Sequence, residues 1–423
     1  MESYIFERNR NKLKDLLPNE SLTILFAGKA PQKSADEDYA FVPNRNFYYL
    51  TGINEPNVIL MMKKNGETFE ETLFIKKADP FMEKWVGKTV SKEEAENISG
   101  IKDIKYVDSF ETVVAGNFFT NQTKAVCLDL ERRGWSGAPT STSLFAKHIR
   151  EHYPHVAIHN IYPEICDLRV IKSNEEVQKI KESIEITKEG IYNLLRHAKS
   201  GMMEYQLEAH FDFTLKYNGV RDYAFKTITA SGKNATVLHY EHNNAMTQDG
   251  DLVLLDLGAQ KDYYSADISY TFPVNGKFTD RQKVLYNIVL KALKETTAMI
   301  KPGLPFAALN EYAKKVLSEE CKKIGLIQED SEISKYYYHS VGHFLGLDTH
   351  DVGSYKDRVL EPGMVITIEP GLYIEEESIG IRLEDDILVT EDGFENLSKD
   401  IMRETDVIEE FMATQGAQAA VKA

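Results

Sequence analysis

Residues 252–272 read LVLLDLGAQKDYYSADISYTF. Two strand-like runs, Leu252–Leu257 and Ser265–Phe272, flank a short polar stretch, and this pattern predicts an antiparallel hairpin. Asp256 stands among leucines near the end of the first run, an expensive place for a carboxylate without a partner. A turn at Lys261-Asp262 sets Asp256 directly opposite Asp267, on the same face of the sheet and close to it. Two like charges so placed repel. Either one is protonated or a cation lies between them.

A second acidic pair lies downstream. Glu369 follows the apolar run Met364–Ile368 and precedes Pro370-Gly371. Over residues 380–387, strand alternation puts Arg382, Glu384 and Asp386 on one face. Between the two pairs runs HSVGHFLGLDTHD, residues 339–351, which contains His339, His343 and His350; His239 stands earlier, after Val237-Leu238. Four carboxylates and one imidazole suit a pair of hard or borderline divalent cations, and charge balance favours two ions over one. Such sites make a nucleophile from water near neutral pH. Further histidines can then move protons and meet a developing oxyanion.

Taken singly, these residues have plainer readings. A lone histidine usually sits on the surface or in the core, and that reading is given to His148, His152, His155, His159, His197 and His210. His339 stays open between support for the site and a helix start. The run Glu375-Glu376-Glu377 reads as a solvated turn. Cys127, Cys166 and Cys321 are odd in number and form no CxxC pair, which excludes a disulfide scaffold and a cysteine zinc site. They read as buried small hydrophobes.

At 423 residues, two domains are expected. The strand-like runs Leu22–Ala27, Val58–Met62, Thr72–Ile75 and Ala125–Leu130, with a turn at Asn65-Gly66 and a helix at Ser91–Asn97, predict an α/β domain over residues 1–171. Ser173 and Glu176 then form a capping box. Val177, Ile180, Ile184, Thr187, Ile191 and Leu194 follow on one helical face and open a second, α+β domain over 172–423. In it, helices at Tyr205–Asn218, Arg281–Ile300 and Phe306–Ile324 alternate with strands, the last a single strand over Gly380–Thr390.

Hydrophobic residues make up 42% and charged residues 27%, a globular balance that excludes bulk disorder. Fifty basic against 66 acidic residues give a net charge of −16, which argues against nucleic acid or an anionic membrane as partner. No apolar run approaches the ~20 residues that span a bilayer, and MESYIFERNR lacks a signal stretch. A cytoplasmic protein is expected. The chain contains no GxxxxGK[ST], GxSxG or HExxH word.

At the acidic and histidine positions the sequence resembles the metallopeptidase family of aminopeptidase P, prolidase and methionine aminopeptidase, whose catalytic domain is the "pita-bread" fold. The words LLDLGAQ, SADISYTFP, GHFLGLDTHD, TIEPGLYI and GIRLEDDILVT carry the likeness, and NRNFYYLTG at 44–52 resembles the aminopeptidase P N-terminal domain. The resemblance implies five metal ligands, Asp256, Asp267, His343, Glu369 and Glu384. Asp256 would hold one ion, His343 and Glu369 the other, and Asp267 and Glu384 would bridge them. Glu369 would also act as general base, His239 would lie near the scissile group, His350 would support the intermediate, and Arg382 would stand behind Glu384. Ser269-Tyr270 departs from the family's usual Thr-Arg.

The function implied is a two-metal Xaa-Pro aminopeptidase, releasing the first residue of peptides with proline second, with Mn²⁺ suited to oxygen-rich ligation. The alternative is prolidase, which cleaves only Xaa-Pro dipeptides. A non-catalytic binding module of this fold would lack one of the five ligands. Methionine aminopeptidase would lack the front domain, and creatinase does not depend on this metal set. The family also implies a homodimer or homotetramer. In that setting Trp85, within FMEKWVG at 81–87, either packs locally or meets a neighbouring subunit near its metal site.

Overall fold

The computed structural model describes residues 1–120, 123–131 and 134–422, with side chains of the last helix described through residue 415. The chain divides into two compact units, Met1–Arg169 and Val170–Ala423, two residues ahead of the join drawn from sequence.

In the first unit, β1 (Ser21–Phe26), β2 (Ile59–Asn65), β3 (Thr68–Ile75), β4 (Asp103–Tyr106), β5 (Ala125–Leu128) and β6 (Ala157–Asn160) form one sheet in the order β4-β3-β2-β1-β5-β6. β1, β2 and β3 are antiparallel neighbours, whereas β4, β5 and β6 join in parallel. The β2–β3 hairpin turns at Gly66-Glu67 and runs further than its apolar stretches, because Lys63 and Glu70 still face each other across the ladder. Apolar content marks only the part of a hairpin that is buried. Leu22, Ile24, Phe74 and Val126 pack against Phe110 and Ile149 of the helices Phe110–Phe119 and Ser141–His152. Trp85 lies in a short helix, Glu83–Val86, and is 75% exposed beside the similarly exposed Phe81. Cys127 and Cys166 are buried, as is Cys321 in the second unit.

The second unit opens on the helix Asn174–His197. Ser173 caps it, and Glu176 reaches back to accept from the Ser173 N–H at 2.8 Å. Glu176 is itself buried and accepts from the Tyr264 hydroxyl at 2.9 Å, so this cap also ties the helix to a strand. Helices Glu204–Tyr217, Asp280–Ala298 and Phe306–Lys323 follow, each within two residues of its expected bounds. The strands are β7 (Ile228–Ser231), β8 (Leu252–Leu257), β9 (Gln260–Lys261), β10 (Tyr264–Ser265), β11 (Ile268–Pro273), β12 (Val365–Ile368), β13 (Gly371–Ile374), β14 (Ile379–Arg382), β15 (Asp385–Val389) and β16 (Phe394–Asn396). They form the sets β11-β8-β7, β12-β15-β16, β13-β14 and β9-β10.

Two expectations are corrected here. The hairpin pairs Asp256 with Ser269, not with Asp267, because its turn falls at Asp262-Tyr263, both with positive φ (49° and 69°). Moving the register by two keeps Asp267 on the same face, diagonal to Asp256. The single strand expected over Gly380–Thr390 is two, since the chain leaves β13 as partner after Arg382 and joins β12 from Asp385. Glu375, Glu376 and Glu377 form an exposed single turn, as expected, and carry surface ion pairs with Lys233, Lys335 and Arg281 in turn.

The double role of the cap gives a prediction. Ser173→Ala should lower stability by about 1 kcal/mol, a fall of roughly 2–4 °C in the melting temperature of a unit this size. Thermal unfolding followed by circular dichroism measures it.

Candidate metal centre

β8 and β11 present the first acidic pair. Asp267 sits at the break between β10 and β11, where its N–H leaves the ladder and donates to Asp386 Oδ2 at 3.2 Å. Beside the break Gly258 passes so close to Ala266 that a Cβ there would lie 1.9 Å from the Ala266 carbonyl oxygen. Asp256, at the open end of β8, takes the Arg382 guanidinium at 2.6 Å.

The second pair and the histidine arrive through backbone pairing of 341–344 beside β12. Thr367 N–H donates to His343 O at 2.9 Å, Glu369 N–H donates to Val341 O at 2.7 Å, and Phe344 bridges Ile366. Gly342 is required in this approach, since a Cβ would meet Thr367 O at 1.9 Å. His343 Nε2 consequently lies 3.2 Å from Asp267 Oδ2 and 3.7 Å from Glu369 Oε1. Its Nδ1 lies 3.0 Å from the Phe344 carbonyl, which fixes a proton there and turns Nε2 toward the carboxylates. Glu384 comes from the break between β14 and β15, where its N–H donates to Ser269 O at 3.1 Å.

Ligand atoms of Asp267, His343 and Glu384 all lie within 4.8 Å of one another. Glu384 Oε2 accepts from Ser269 Oγ at 2.8 Å, whereas Oε1 is buried with no hydrogen-bond partner among the described residues. The electrostatics are those of a crowded acidic cluster. Burial, then the Asp256 charge, pushes Asp267 up to about 6 against the pull of His343. Burial, with Asp267 and Asp256 beside it, pushes Glu369 up to about 7. Glu384 is driven well above the usual range by burial and by its acidic neighbours. Burial opposes charge on His343, yet the hydrogen bond and charge of Asp267, followed by Glu369, raise it to about 9.

A cavity of about 730 Å³ exposes this cluster, and every residue singled out from sequence for the site lines it: Asp256, Asp267, His343, Glu369 and Glu384 with His239, His350 and Arg382. The His350 ring lies 4.2 Å from that of His343; burial and the His343 charge lower its pKa to about 4. Phe225, Ile228, Leu238, Phe306 and Tyr355 supply an apolar wall. The other six histidines read as structural do not line the cavity.

His339 is resolved as a wall residue. It is no helix start: its Nδ1 faces the Ser340 carbonyl and its Nε2 the Tyr373 hydroxyl, both at 2.8 Å, with Nδ1 3.8 Å from Glu369. Burial, then Arg382, lowers it to about 4. Arg382, fully enclosed, also donates to Tyr373 OH at 3.1 Å and to Ser269 Oγ at 2.6 Å. Sequence reasoning missed Ser269 and Tyr373 as parts of this network. For Ser269 a signal existed, because a correct hairpin register faces it to Asp256.

Residues 178–391 match metallopeptidase family M24, and residues 6–127 match the aminopeptidase P N-terminal domain. The chain is similar to a Xaa-Pro aminopeptidase of Escherichia coli, 31% identical with 98% of each chain covered. Among solved structures it is similar to one assigned as aminopeptidase P from Bacillus anthracis, at 70% identity and TM-score 0.97, covering 98% of this chain and 99% of that one. It is also similar to E. coli aminopeptidase P with the inhibitor Pro-Leu, at 31% identity and TM-score 0.90, covering 99% and 100%. An α/β front domain is thus followed by an α+β catalytic domain of the pita-bread type, and the chain belongs to metallopeptidase family M24, with the N-terminal domain of the aminopeptidase P branch.

Proposed function

We propose that this protein is a two-metal Xaa-Pro aminopeptidase. The observation that carries the reading is the convergence of four carboxylates and His343 on one apolar-walled cavity, in a chain similar over its whole length to enzymes of that name. A cation fits the donors. Glu384 keeps a buried oxygen without a hydrogen-bond partner among the described residues, and Asp267, Glu369 and Glu384 are all held above the ordinary carboxylate range by burial and their shared charge. Asp256 would hold one ion, His343 and Glu369 the second, with Asp267 and Glu384 between them. Oxygen-rich ligation favours Mn²⁺.

The bound ions supply a nucleophile at neutral pH and countercharge for the reaction. The protein does the rest. Arg382 anchors Asp256 and, through Ser269, Glu384. The scissile bond ends on a proline nitrogen, a tertiary amide without an N–H, so recognition must rest on the free amine and the ring. Glu369 takes a proton as attack begins and returns it to that nitrogen as it leaves. His350, kept neutral, donates toward the developing oxyanion, and His239, also on the cavity wall, serves near the scissile group. No helix among the described residues is long and apolar enough to cross a membrane; a cytoplasmic homodimer or homotetramer completes the proposal.

Metal content comes first among the tests. Purified protein saturated with Mn²⁺ should bind about two ions per chain, and Asp267→Asn or Glu384→Gln should lose both. Full occupancy and activity in either variant would sink the ligand assignment.

Chelated protein should show an unusual pH dependence. Carboxyls raised to about 6 and 7 stabilise the fold fully below the ordinary carboxylate range, and that contribution is lost as pH rises through 6 and 7. His343, raised to about 9, adds stability that is lost only through 9. Metal-free protein should therefore melt lower at pH 8 than at pH 5. Glu369→Gln should narrow the gap, and an unchanged gap would contradict the buried charge.

Substrate length decides the activity. Mn²⁺-loaded protein should hydrolyse both Xaa-Pro-Yaa tripeptides and longer peptides, and chelated protein neither. Cleavage of Xaa-Pro dipeptides alone would make it a prolidase; no cleavage of either would refute the reading. Sedimentation of the same preparation tests the assembly.

A further inference from the structure

Lys172 and Asp351 form an ion pair, Nζ to Oδ2 2.9 Å, with each side chain only 1% exposed. Neither lines the catalytic cavity. A buried pair of this kind is commonly no more stabilising than apolar residues of the same volume, whereas its loss on one side is severe. What an ion pair supplies, and an apolar contact does not, is direction and a fixed short distance.

Its surroundings show what that distance governs. Lys172 N–H donates to Gly363 O at 2.8 Å, and Ile171 bridges Met364, so the lysine is fixed beside the entry to β12, the strand that leads to Glu369. Asp351 directly follows His350. Its N–H donates to Phe344 O at 2.9 Å, and its Oδ1 accepts from the Asp348 N–H at 3.4 Å. Residues 344–351 are thus a loop closed at its ends. His343 stands just before one end and His350 just before the other, with rings 4.2 Å apart.

We infer that Lys172, acting through Asp351, is a positioning residue that sets the distance between His343 and His350. The inference rests on the roles given to those histidines above. Misplacement of a reacting group by about 1 Å can cost about 10²-fold in rate, so a pair that touches no substrate can still govern turnover.

The test compares Lys172→Met, Asp351→Asn and the double variant Lys172→Met/Asp351→Leu, which removes both charges. Melting temperature, kcat and KM on an Xaa-Pro-Yaa tripeptide are measured. So are the imidazole ¹H–¹³C resonances of His343 and His350 in chelated protein. Lys172→Met should melt lower and lose about 10²-fold in kcat with little change in KM. The double variant should regain most of the melting temperature but not kcat, and both imidazole signals should stay displaced. Recovery of wild-type kcat and wild-type imidazole signals in the double variant would overturn the proposal, leaving the pair a role in stability alone. Should either methionine variant fail to fold, Asp351→Asn, which keeps the shape of the side chain, is read by the same two outcomes. Wild-type protein inactive on every Xaa-Pro peptide would refute the functional reading instead, and the imidazole signals would then decide the positioning claim by themselves.

Discussion

Like charges crowded into a volume of low dielectric repel strongly, and the catalytic unit is arranged around that repulsion. Asp256, Asp267, Glu369 and Glu384 share one cavity, and the Arg382 guanidinium is buried with them. Arg382 is spent on Asp256, Ser269 and Tyr373. Beyond it, His343 offers one positive charge to Asp267 and Glu369, and three carboxyls still outnumber it. A fold that holds them there against the cost is a frame suited to cations, braced by the contacts of Arg382 with Asp256, His343 with Asp267 and Ser269 with Glu384.

The frame is delivered by irregularities in the sheets. Asp267 and Glu384 lie at strand breaks, and Glu369 follows the end of a strand. Inside a regular ladder, a residue's backbone is committed to its neighbours. At a break the N–H is released, and each of these three donates across to another element: Asp267 to Asp386, Glu384 to Ser269, Glu369 to Val341. Each carboxylate is in this way fixed by a piece of chain other than its own strand. Sequence-distant elements converge on a few ångströms with little freedom left.

Much of this could be read from the chain alone, and for identifiable reasons. A carboxylate closing a run of leucines or isoleucines, as Asp256 and Glu369 do, declares itself because burial without purpose is so costly. The long amphipathic helix after Ser173 declared itself through its cap and its period. What stayed hidden depends on turns and on burial from both sides. The hairpin register turned on Asp262 and Tyr263 both adopting positive φ, a choice that the aromatic residue does not advertise. The break at Leu383-Glu384 lies in a stretch buried on both faces, where alternation gives no warning. β7, only four residues of mostly small side chains, carried too little apolar content to register. Lys172 looked like an ordinary charge ahead of a helix, and Tyr373 like one more residue of a strand; only the folded chain brings the first to Asp351 and the second to Arg382 and His339.

The close backbone approaches at Gly258 and Gly342 bear on how this enzyme can change over time. Neither glycine has any functional group to offer the reaction, yet each lies where a single methyl would collide with a carbonyl oxygen of the facing segment. The facing segments carry Asp267 in one case and Glu369 in the other. Drift in protein sequence usually reaches an active site through its polar residues, and there a loss can be graded or compensated. Here the chemistry can also be extinguished by the smallest possible gain of carbon, at positions that a survey of reactive side chains would pass over. The unit's evolutionary freedom is therefore narrowest along its main chain, and the route by which such a fold sheds catalysis and becomes a mere binding surface runs as readily through an alanine as through the loss of a ligand.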